Sequence, residues 1–90
     1  GFIGSGNVAT QLSKALERSG HVITEVYSRN PTHAAKLCDK LYEAKVLSKP
    51  DFTQAKAEIL ILSVKDDAIS AVLPLIRARS NQIIVHTSGA

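Results

Sequence analysis

Apolar residues along the chain follow two spacings, one typical of buried strands and one typical of helices. Residues 58–64 contain an unbroken apolar run at 59–62, which predicts a parallel strand buried on both faces. Shorter apolar or β-branched runs predict further strands at residues 2–3, 22–28, 44–47 and 83–85. The chain therefore carries about five predicted strands, spread from one end to the other.

Between these strands, apolar residues recur three and four positions apart, as they do on one face of a helix. Residues 6–19 predict a first helix, and Gly20 supplies the left-handed conformation that commonly ends one. Asn30 and Pro31 predict the start of a second helix, as a capping residue and a first helical residue. A third helix should be kinked or divided by Pro74.

The second helix also bears on the single cysteine. We expect it to present one apolar face, made of Ala34, Ala35, Cys38, Leu41 and Tyr42. Cys38 is therefore interpreted as a small core residue and not as a nucleophile. A lone cysteine also excludes a disulfide within the chain.

The order of strands and helices predicts an α/β domain with a doubly wound, mainly parallel sheet and helices on both faces. Residues 51–57 fit a short helix or a loop, with Phe52 as its anchor. A chain of 90 residues makes one small domain. Because the chain opens without methionine and stops directly after a strand, we interpret residues 1–90 as a fragment whose second domain is absent.

Composition and net charge limit the kinds of partner that we expect this chain to bind. The net charge is only +3 and aromatic residues make up 4% of the chain, so we expect no nucleic-acid partner. No apolar run approaches the roughly 20 residues of a membrane helix, and no signal peptide opens the chain, so we expect a cytoplasmic protein without a membrane partner. No residue pattern indicates a metal site.

The turn between the first strand and the first helix carries the main chemical signal. Gly4, Gly6 and Ala9 match a glycine pattern that follows a strand, opens a helix and lies within a unit of about 30 residues. Gly4 permits the tight turn, Gly6 lets a diphosphate approach the backbone, and Ala9 lets the helix pack closely. Ser5 and Asn7 either donate to phosphate or cap the helix. The pattern predicts a dinucleotide-binding Rossmann domain, with Val8 also beside the diphosphate.

The end of the second strand indicates which dinucleotide binds. NAD-binding domains usually place a carboxylate there, whereas this chain has Ser28, Arg29 and Asn30. A guanidinium fork matches a phosphate, so we expect NADP (NADPH). Glu25 lies near the usual spacing for the carboxylate, but it falls within the strand, where we expect it to reach solvent or a neighbouring strand edge.

The chain resembles the Rossmann-like domains of the pyrroline-carboxylate reductase and phosphogluconate-dehydrogenase superfamily. The nearest group contains oxidoreductases with a helical second domain of unknown function. The resemblance rests on Gly-Phe-Ile-Gly-Ser-Gly-Asn-Val-Ala at 1–9, Tyr-Ser-Arg-Asn at 27–30, Ser-Val-Lys-Asp-Asp-Ala-Ile at 63–69 and His-Thr-Ser-Gly-Ala at 86–90. Asp66 and Asp67 stand where pyrroline-carboxylate reductases should have a proline, so the resemblance does not imply an enzyme of proline synthesis.

The resemblance implies further site residues. Val64 and Lys65 should lie along the cofactor, although Lys65 fits a solvent-facing position equally well. His86 and Ser88 should lie near the nicotinamide and the substrate. His86 is a candidate proton donor, but we favour a structural role for it in shaping the turn at Ser88. Asp66 and Asp67 are interpreted as helix caps rather than as acids or bases.

Two functions remain open. The first is the cofactor domain of a reductase, inactive by itself, that transfers hydride to an unidentified carbonyl or imine. The second is a non-catalytic nucleotide-binding or sensor module on the same scaffold, since a fold alone does not define a function. For the reductase we expect a small-molecule substrate and a homodimer formed through the missing domain.

Overall fold

The computed structural model describes residues 1–64 and 66–87, and only the backbone of residues 66 and 67. Strands and helices follow the predicted order. The strands are β1 (Phe2–Ile3), β2 (Glu25–Tyr27), β3 (Lys45–Leu47), β4 (Ile59–Leu62) and β5 (Ile83–His86). The helices are α1 (Asn7–Arg18), α2 (Pro31–Cys38) and α3 (Asp66–Val72), with a 3₁₀ turn at Leu73–Leu75. Pro74 lies in that turn, so the predicted division of the third helix is confirmed.

The five strands form one parallel sheet in the order β3-β2-β1-β4-β5. On one face, α1 and α2 pack over a core that includes Phe2 and Val26. On the other face, α3 packs over a core that includes Ile3, Leu60 and Leu62. The doubly wound α/β architecture expected from the sequence is therefore confirmed.

Local signals define the helix ends. Gly20 has a φ of +95°, and its N–H donates to the carbonyl of Glu17 while that of His21 donates to Leu16. This pair of bonds is the glycine-dependent helix stop that the sequence predicts. At the start of α2, the Asn30 side chain accepts from the N–H of Thr32, so the predicted cap is confirmed.

Two residues of the predicted apolar face of the second helix are not buried. Ala35 is exposed because the face that α2 buries is that of Ala34 and Leu37. Tyr42 is 89% exposed because α2 ends at Cys38, before it reaches this residue. β2 is also shorter than predicted, since it begins at Glu25.

The apolar runs of the last two strands are buried less than expected. In β4, Leu60 and Leu62 are buried, but Ile59 is 51% exposed. Every residue of β5 is exposed. The physical reason is the arrangement of the layers: β5 is an edge strand, α1 and α2 pack over β1 and β2, and neither described core includes Ile59 or a residue of β5.

The segment between β3 and β4 is a loop anchored by side chains. Phe52 is fully buried, as predicted. The Arg79 guanidinium donates to the carbonyls of Thr53 and Ala55 at 2.8 Å, and Gln82 Nε2 donates to those of Phe52 and Ala57 at 2.9 Å. These bonds fix a loop that lacks regular secondary structure.

The helices can also be compared with what a membrane-spanning helix requires. Within the described part of the chain, no helix has the length and apolar character that crossing a membrane requires.

Candidate functional site

The sheet order creates a crevice between β1 and β4. The chain runs outward from β1 through β2 to β3 and then returns to β4 on the other side of β1. The connections after β1 and β4 therefore leave in opposite directions, which opens a gap at the carboxyl ends of these two strands. Ligands of open α/β sheets bind at such a point.

Gly4 closes the bottom of this crevice. Its φ is +107°, which favours glycine, and its N–H donates to the carbonyl of Tyr27 at 2.7 Å. A Cβ at this position would lie 2.1 Å from the carbonyl oxygen of Ser63. Glycine is therefore required here by the close approach of β1 and β4, whether or not a ligand binds.

Gly6 has a different role. A Cβ at this position would meet no protein atom within 4 Å, and its φ of −77° is accessible to any residue. Gly6 is also the N-cap of α1, where no side chain caps the helix and the first turn contains no acidic residue. The N–H groups of that turn are thus open to an anion, and the missing Cβ leaves room for it.

Serine hydroxyls join the glycine turn to the end of β2. Ser5 Oγ donates to Ser28 Oγ at 3.0 Å, and the N–H of Asn30 donates to the same Ser28 oxygen at 3.3 Å. Asn30 Oδ1 is used for capping α2, as described above. The glycine turn and the end of β2, which are the two predicted parts of the cofactor site, therefore meet at Ser28.

A cleft of about 260 Å³ lies over this junction. Its lining is Ile3, Gly4, Ser5, Gly6, Tyr27, Ser28, Arg29, Ser63, Val64 and Val72. None of these residues is acidic, and Arg29 is an exposed cation at the rim. The cleft is therefore suited to an anionic ligand.

A smaller cleft of about 210 Å³ continues the first one, sharing Tyr27, Arg29 and Val72 with it. The remaining residues of its lining are Pro50, Ala71 and Leu75. An apolar slot with one guanidinium at its edge fits a flat, uncharged ring.

Glu25 is excluded from this site by its position. It is the first residue of β2, at the amino end of the strand, and it is buried. Its carboxylate accepts from the Thr24 hydroxyl and from the N–H of Lys56. Both expectations for Glu25 are wrong: burial keeps it from solvent, and its partners are the adjacent Thr24 and Lys56 of the loop between β3 and β4 instead of a strand edge.

A third depression, of about 410 Å³, lies at the far end of α1. Its cations are Lys14, Arg18 and Lys40, and its acids are Glu17 and Asp39. Since α1 ends there, this depression lies beside the amino ends of the strands. Its charge is mixed, and ligands of open α/β sheets bind at the carboxyl ends of the strands, which is the opposite end of the sheet. We therefore do not assign this depression as the main ligand site.

The predicted cofactor residues fall into three groups. Those that line the main cleft are Gly4, Ser5, Gly6, Ser28, Arg29 and Val64. Asn7 and Val8 follow the cleft in the first turn of α1, and Asn30 follows it at the start of α2. Lys65 lies outside the described residues.

The predicted catalytic residues lie at or beyond the end of β5. His86 is the last residue of that strand, pairs with Leu62 and is exposed. Among the residues described, it is not part of the lining of the main cleft. Ser88 lies outside the described residues, and so do the side chains of Asp66 and Asp67, so the interpretation of these two residues as helix caps stays a prediction.

Sequence reasoning missed four residues that line the cleft, Ile3, Tyr27, Ser63 and Val72. Ser63 follows β4 directly, so the strand order alone was the signal that could have identified it. The hydroxyl of Thr87 is buried and has no partner among the described residues. It lies one residue beyond β5, beside the predicted substrate region.

Cys38 is not part of this site. It is half-buried among the residues that pack against the α1–α2 core. This burial, reinforced by the neighbouring Asp39 carboxylate, raises the pKa of the thiol. The interpretation of Cys38 as a core residue is therefore confirmed by its packing.

The fold and the glycine turn together define a Rossmann-like nucleotide-binding domain. The chain belongs to the family described as NADP oxidoreductase, coenzyme F420-dependent, whose model matches residues 1–89. No curated protein matches the sequence at a significant level.

A solved structure supports the same assignment. The chain is similar to the "putative NADP oxidoreductase BF3122 from Bacteroides fragilis", with 39% sequence identity and a TM-score of 0.83. The similarity covers 98% of this chain and 35% of that protein. The chain therefore spans about a third of the length of this relative.

Proposed function

We propose that the main cleft binds NADP(H) and that the chain is the cofactor domain of a reductase. The observation that carries this proposal is the open space at Gly6, at the uncapped start of α1. The fold does not require glycine there, whereas a diphosphate over the helix amides does. When bound, the cofactor supplies the hydride, and the protein supplies position and electrostatics.

The 2′-phosphate of the cofactor would lie at the end of β2. Arg29 presents a fork of N–H donors, and among the described residues of the cleft lining none is acidic and able to compete for it. Ser28 adds a hydroxyl, and Asn30 caps α2, whose amino end also favours an anion. NAD-type recognition needs a carboxylate at this point, and Glu25 is held at the opposite end of the strand.

The adenine ring would occupy the smaller cleft. Tyr27, Val72 and Leu75 offer apolar contacts, and Arg29 lies at the junction with the main cleft. A guanidinium in that position can stack on the ring while it also contacts the 2′-phosphate. The two clefts thus match the adenosine half of the cofactor in order and in character.

Hydride transfer would occur near the carboxyl end of β5. His86 and Ser88 remain our candidates for donating a proton to a carbonyl or imine substrate. We further propose that a second domain of a longer, cytoplasmic, homodimeric protein supplies the substrate contacts. The proposal rests on the relative of which this chain covers 35%. The family description adds coenzyme F420 as a hydride partner to be tested.

Calorimetric titration of the protein with NADPH and with NADH tests the cofactor assignment. We expect NADPH to bind about 10- to 100-fold more tightly, the range that charged hydrogen bonds provide. Arg29→Ala should remove most of this preference. Arg18→Ala, at the far end of α1, is the matched control and should retain it. Equal affinities in the wild type, or full preference in Arg29→Ala, would refute the assignment.

Turnover separates the reductase from a non-catalytic sensor. The full-length protein is incubated with NADPH and a panel of carbonyls, imines and F420, and oxidation of NADPH is followed by absorbance. A reductase oxidises NADPH with at least one member of the panel, and His86→Ala then shows whether that histidine takes part. If NADPH binds tightly but is not oxidised with any member of the panel, the result would favour the non-catalytic sensor.

A further inference from the structure

The Ser5–Ser28 hydrogen bond points to a function for Ser5 that differs from contact with the diphosphate. Ser5 lies in the glycine turn, yet its hydroxyl is directed to Ser28, 23 residues away, at 3.0 Å. Both side chains line the main cleft and are partly buried. The bond therefore links the two halves of the proposed cofactor site.

The donors around Ser28 determine what its own hydroxyl can do. A serine oxygen accepts two hydrogen bonds and its hydroxyl donates one. Ser28 Oγ receives one bond from Ser5 and a second from the N–H of Asn30 at 3.3 Å. A backbone N–H can only donate, so the bond from Asn30 uses one acceptor position of Ser28. A phosphate in the cleft can only accept, so it takes the O–H of Ser28, and Ser5 is then the donor between the two hydroxyls. In that arrangement both acceptor positions of Ser28 are filled from within the protein.

This arrangement favours a phosphate over a ribose hydroxyl. A phosphate oxygen is a charged acceptor and gains from a donor whose own oxygen already accepts two bonds, because hydrogen bonds in a chain strengthen one another. A 2′-hydroxyl is an uncharged acceptor, so the same O–H of Ser28 forms a weaker hydrogen bond with it than with a phosphate oxygen.

We infer that Ser5 is a positioning residue for cofactor selectivity: through Ser28, it commits the end of β2 to the 2′-phosphate. This inference rests on the proposed function, since it assumes that the cleft binds a 2′-phosphorylated adenosine. It assigns the Ser5 hydroxyl to the 2′-phosphate half of the site and not to the diphosphate half.

Two small ligands distinguish a role of Ser5 at the 2′-phosphate from a role at the diphosphate. Adenosine 2′,5′-diphosphate carries the 2′-phosphate and a single 5′-phosphate, whereas ADP carries a 5′-diphosphate and no 2′-phosphate. Dissociation constants for both are measured by calorimetry on the wild type, Ser5→Ala and Ser5→Thr. Ser19→Ala, an exposed serine at the other end of α1, is the matched control.

We expect Ser5→Ala to weaken adenosine 2′,5′-diphosphate by about five- to tenfold, the effect of one lost hydrogen bond. Its ADP affinity should change by less than about twofold. Ser5→Thr retains a hydroxyl and should restore most of the 2′,5′-diphosphate affinity. Ser19→Ala should match the wild type for both ligands.

A double-mutant cycle gives a second, independent readout. Once Ser28→Ala has removed the acceptor, adding Ser5→Ala should cause no further loss of 2′,5′-diphosphate affinity. Equal weakening of both ligands by Ser5→Ala, or full additivity in the cycle, would overturn the inference and leave the proposed function intact. A wild type that binds ADP as tightly as adenosine 2′,5′-diphosphate would instead refute the proposed NADP site itself.

Discussion

Two glycines in the same turn are glycines for different physical reasons. At Gly4, a positive φ and the carbonyl of Ser63 exclude any side chain. At Gly6, the backbone accepts a side chain and the surrounding space is open. The first glycine serves the fold and the second serves the ligand, so a substitution should separate stability from binding.

Alanine at each position tests this separation. Gly4→Ala should lower the free energy of unfolding by more than about 2 kcal/mol, because the added Cβ collides with backbone in a strained conformation. Gly6→Ala should lower it by only about 0.5–1 kcal/mol, because alanine is a poorer helix cap than glycine but meets no steric conflict there. In contrast, Gly6→Ala should weaken NADPH about tenfold or more. Urea denaturation and calorimetry measure the two quantities, and a Gly6→Ala protein that binds NADPH normally would contradict this account.

The raised pKa of Cys38 has a chemical consequence. Burial and the Asp39 carboxylate both disfavour the thiolate, which is the reactive form. Near neutral pH, Cys38 should therefore react with a disulfide reagent more slowly than free cysteine does. The rate is followed by absorbance, with the urea-unfolded protein as the control that should react faster. Equal rates for the folded and unfolded protein would show that Cys38 is not protected.

At the residue scale, the sequence predicted the glycine turn and the Ser28–Arg29 pair, because both depend on local spacing. It did not predict the Ser5–Ser28 bond or the bond from the N–H of Lys56 to Glu25. These contacts join segments far apart in the chain, so they depend on the sheet order and not on any local pattern.

At the element scale, the loop between β3 and β4 is held mainly by the residues just before β5. Arg79 and Gln82 donate to four carbonyls of residues 52–57, and Arg79 N–H in turn donates to Gln82 Oε1 at 2.8 Å. Backbone bonds to Arg77 hold only the start of the loop, with the N–H of Phe52 donating to the Arg77 carbonyl at 2.7 Å. The position of residues 53–57 next to the sheet therefore depends largely on the side chains of Arg79 and Gln82.

Arg79→Ala should lower the free energy of unfolding by about 1–3 kcal/mol, because it leaves carbonyls of the loop without donors. Arg79→Lys should recover only part of this loss, since an ammonium lacks the planar fork. Arg77→Ala is the matched control, because that side chain is exposed, and it should stay within about 0.5 kcal/mol of the wild type. Equal effects at positions 77 and 79, measured by urea denaturation, would show that Arg79 does not anchor the loop.

Element predictions succeeded where a local rule applies, as at Gly20, Asn30 and Pro74. They failed where burial depends on neighbours. The apolar residues of β5 predicted a strand correctly but not its exposure, because apolar character does not reveal whether a layer covers the strand.

At the scale of the whole molecule, the site follows from the sheet order. Placing β1 between β2 and β4 brings the glycine turn, the end of β2 and Ser63 to one crevice. The family match over residues 1–89 supports an oxidoreductase domain. Substrate recognition is a property that we assign to the longer protein, since the chain covers 35% of its solved relative.

Backbone amide chemical shifts, recorded while NADPH is added to the ¹⁵N-labelled protein, show whether the crevice at the carboxyl ends of β1, β2 and β4 binds the cofactor. We expect the largest shifts at residues 4–9 and 28–30, with little change at Lys14, Lys40 and Tyr42 in the depression at the other end of α1. Shifts centred on that depression, or no saturable shifts at all, would contradict the assignment of the cofactor to this crevice.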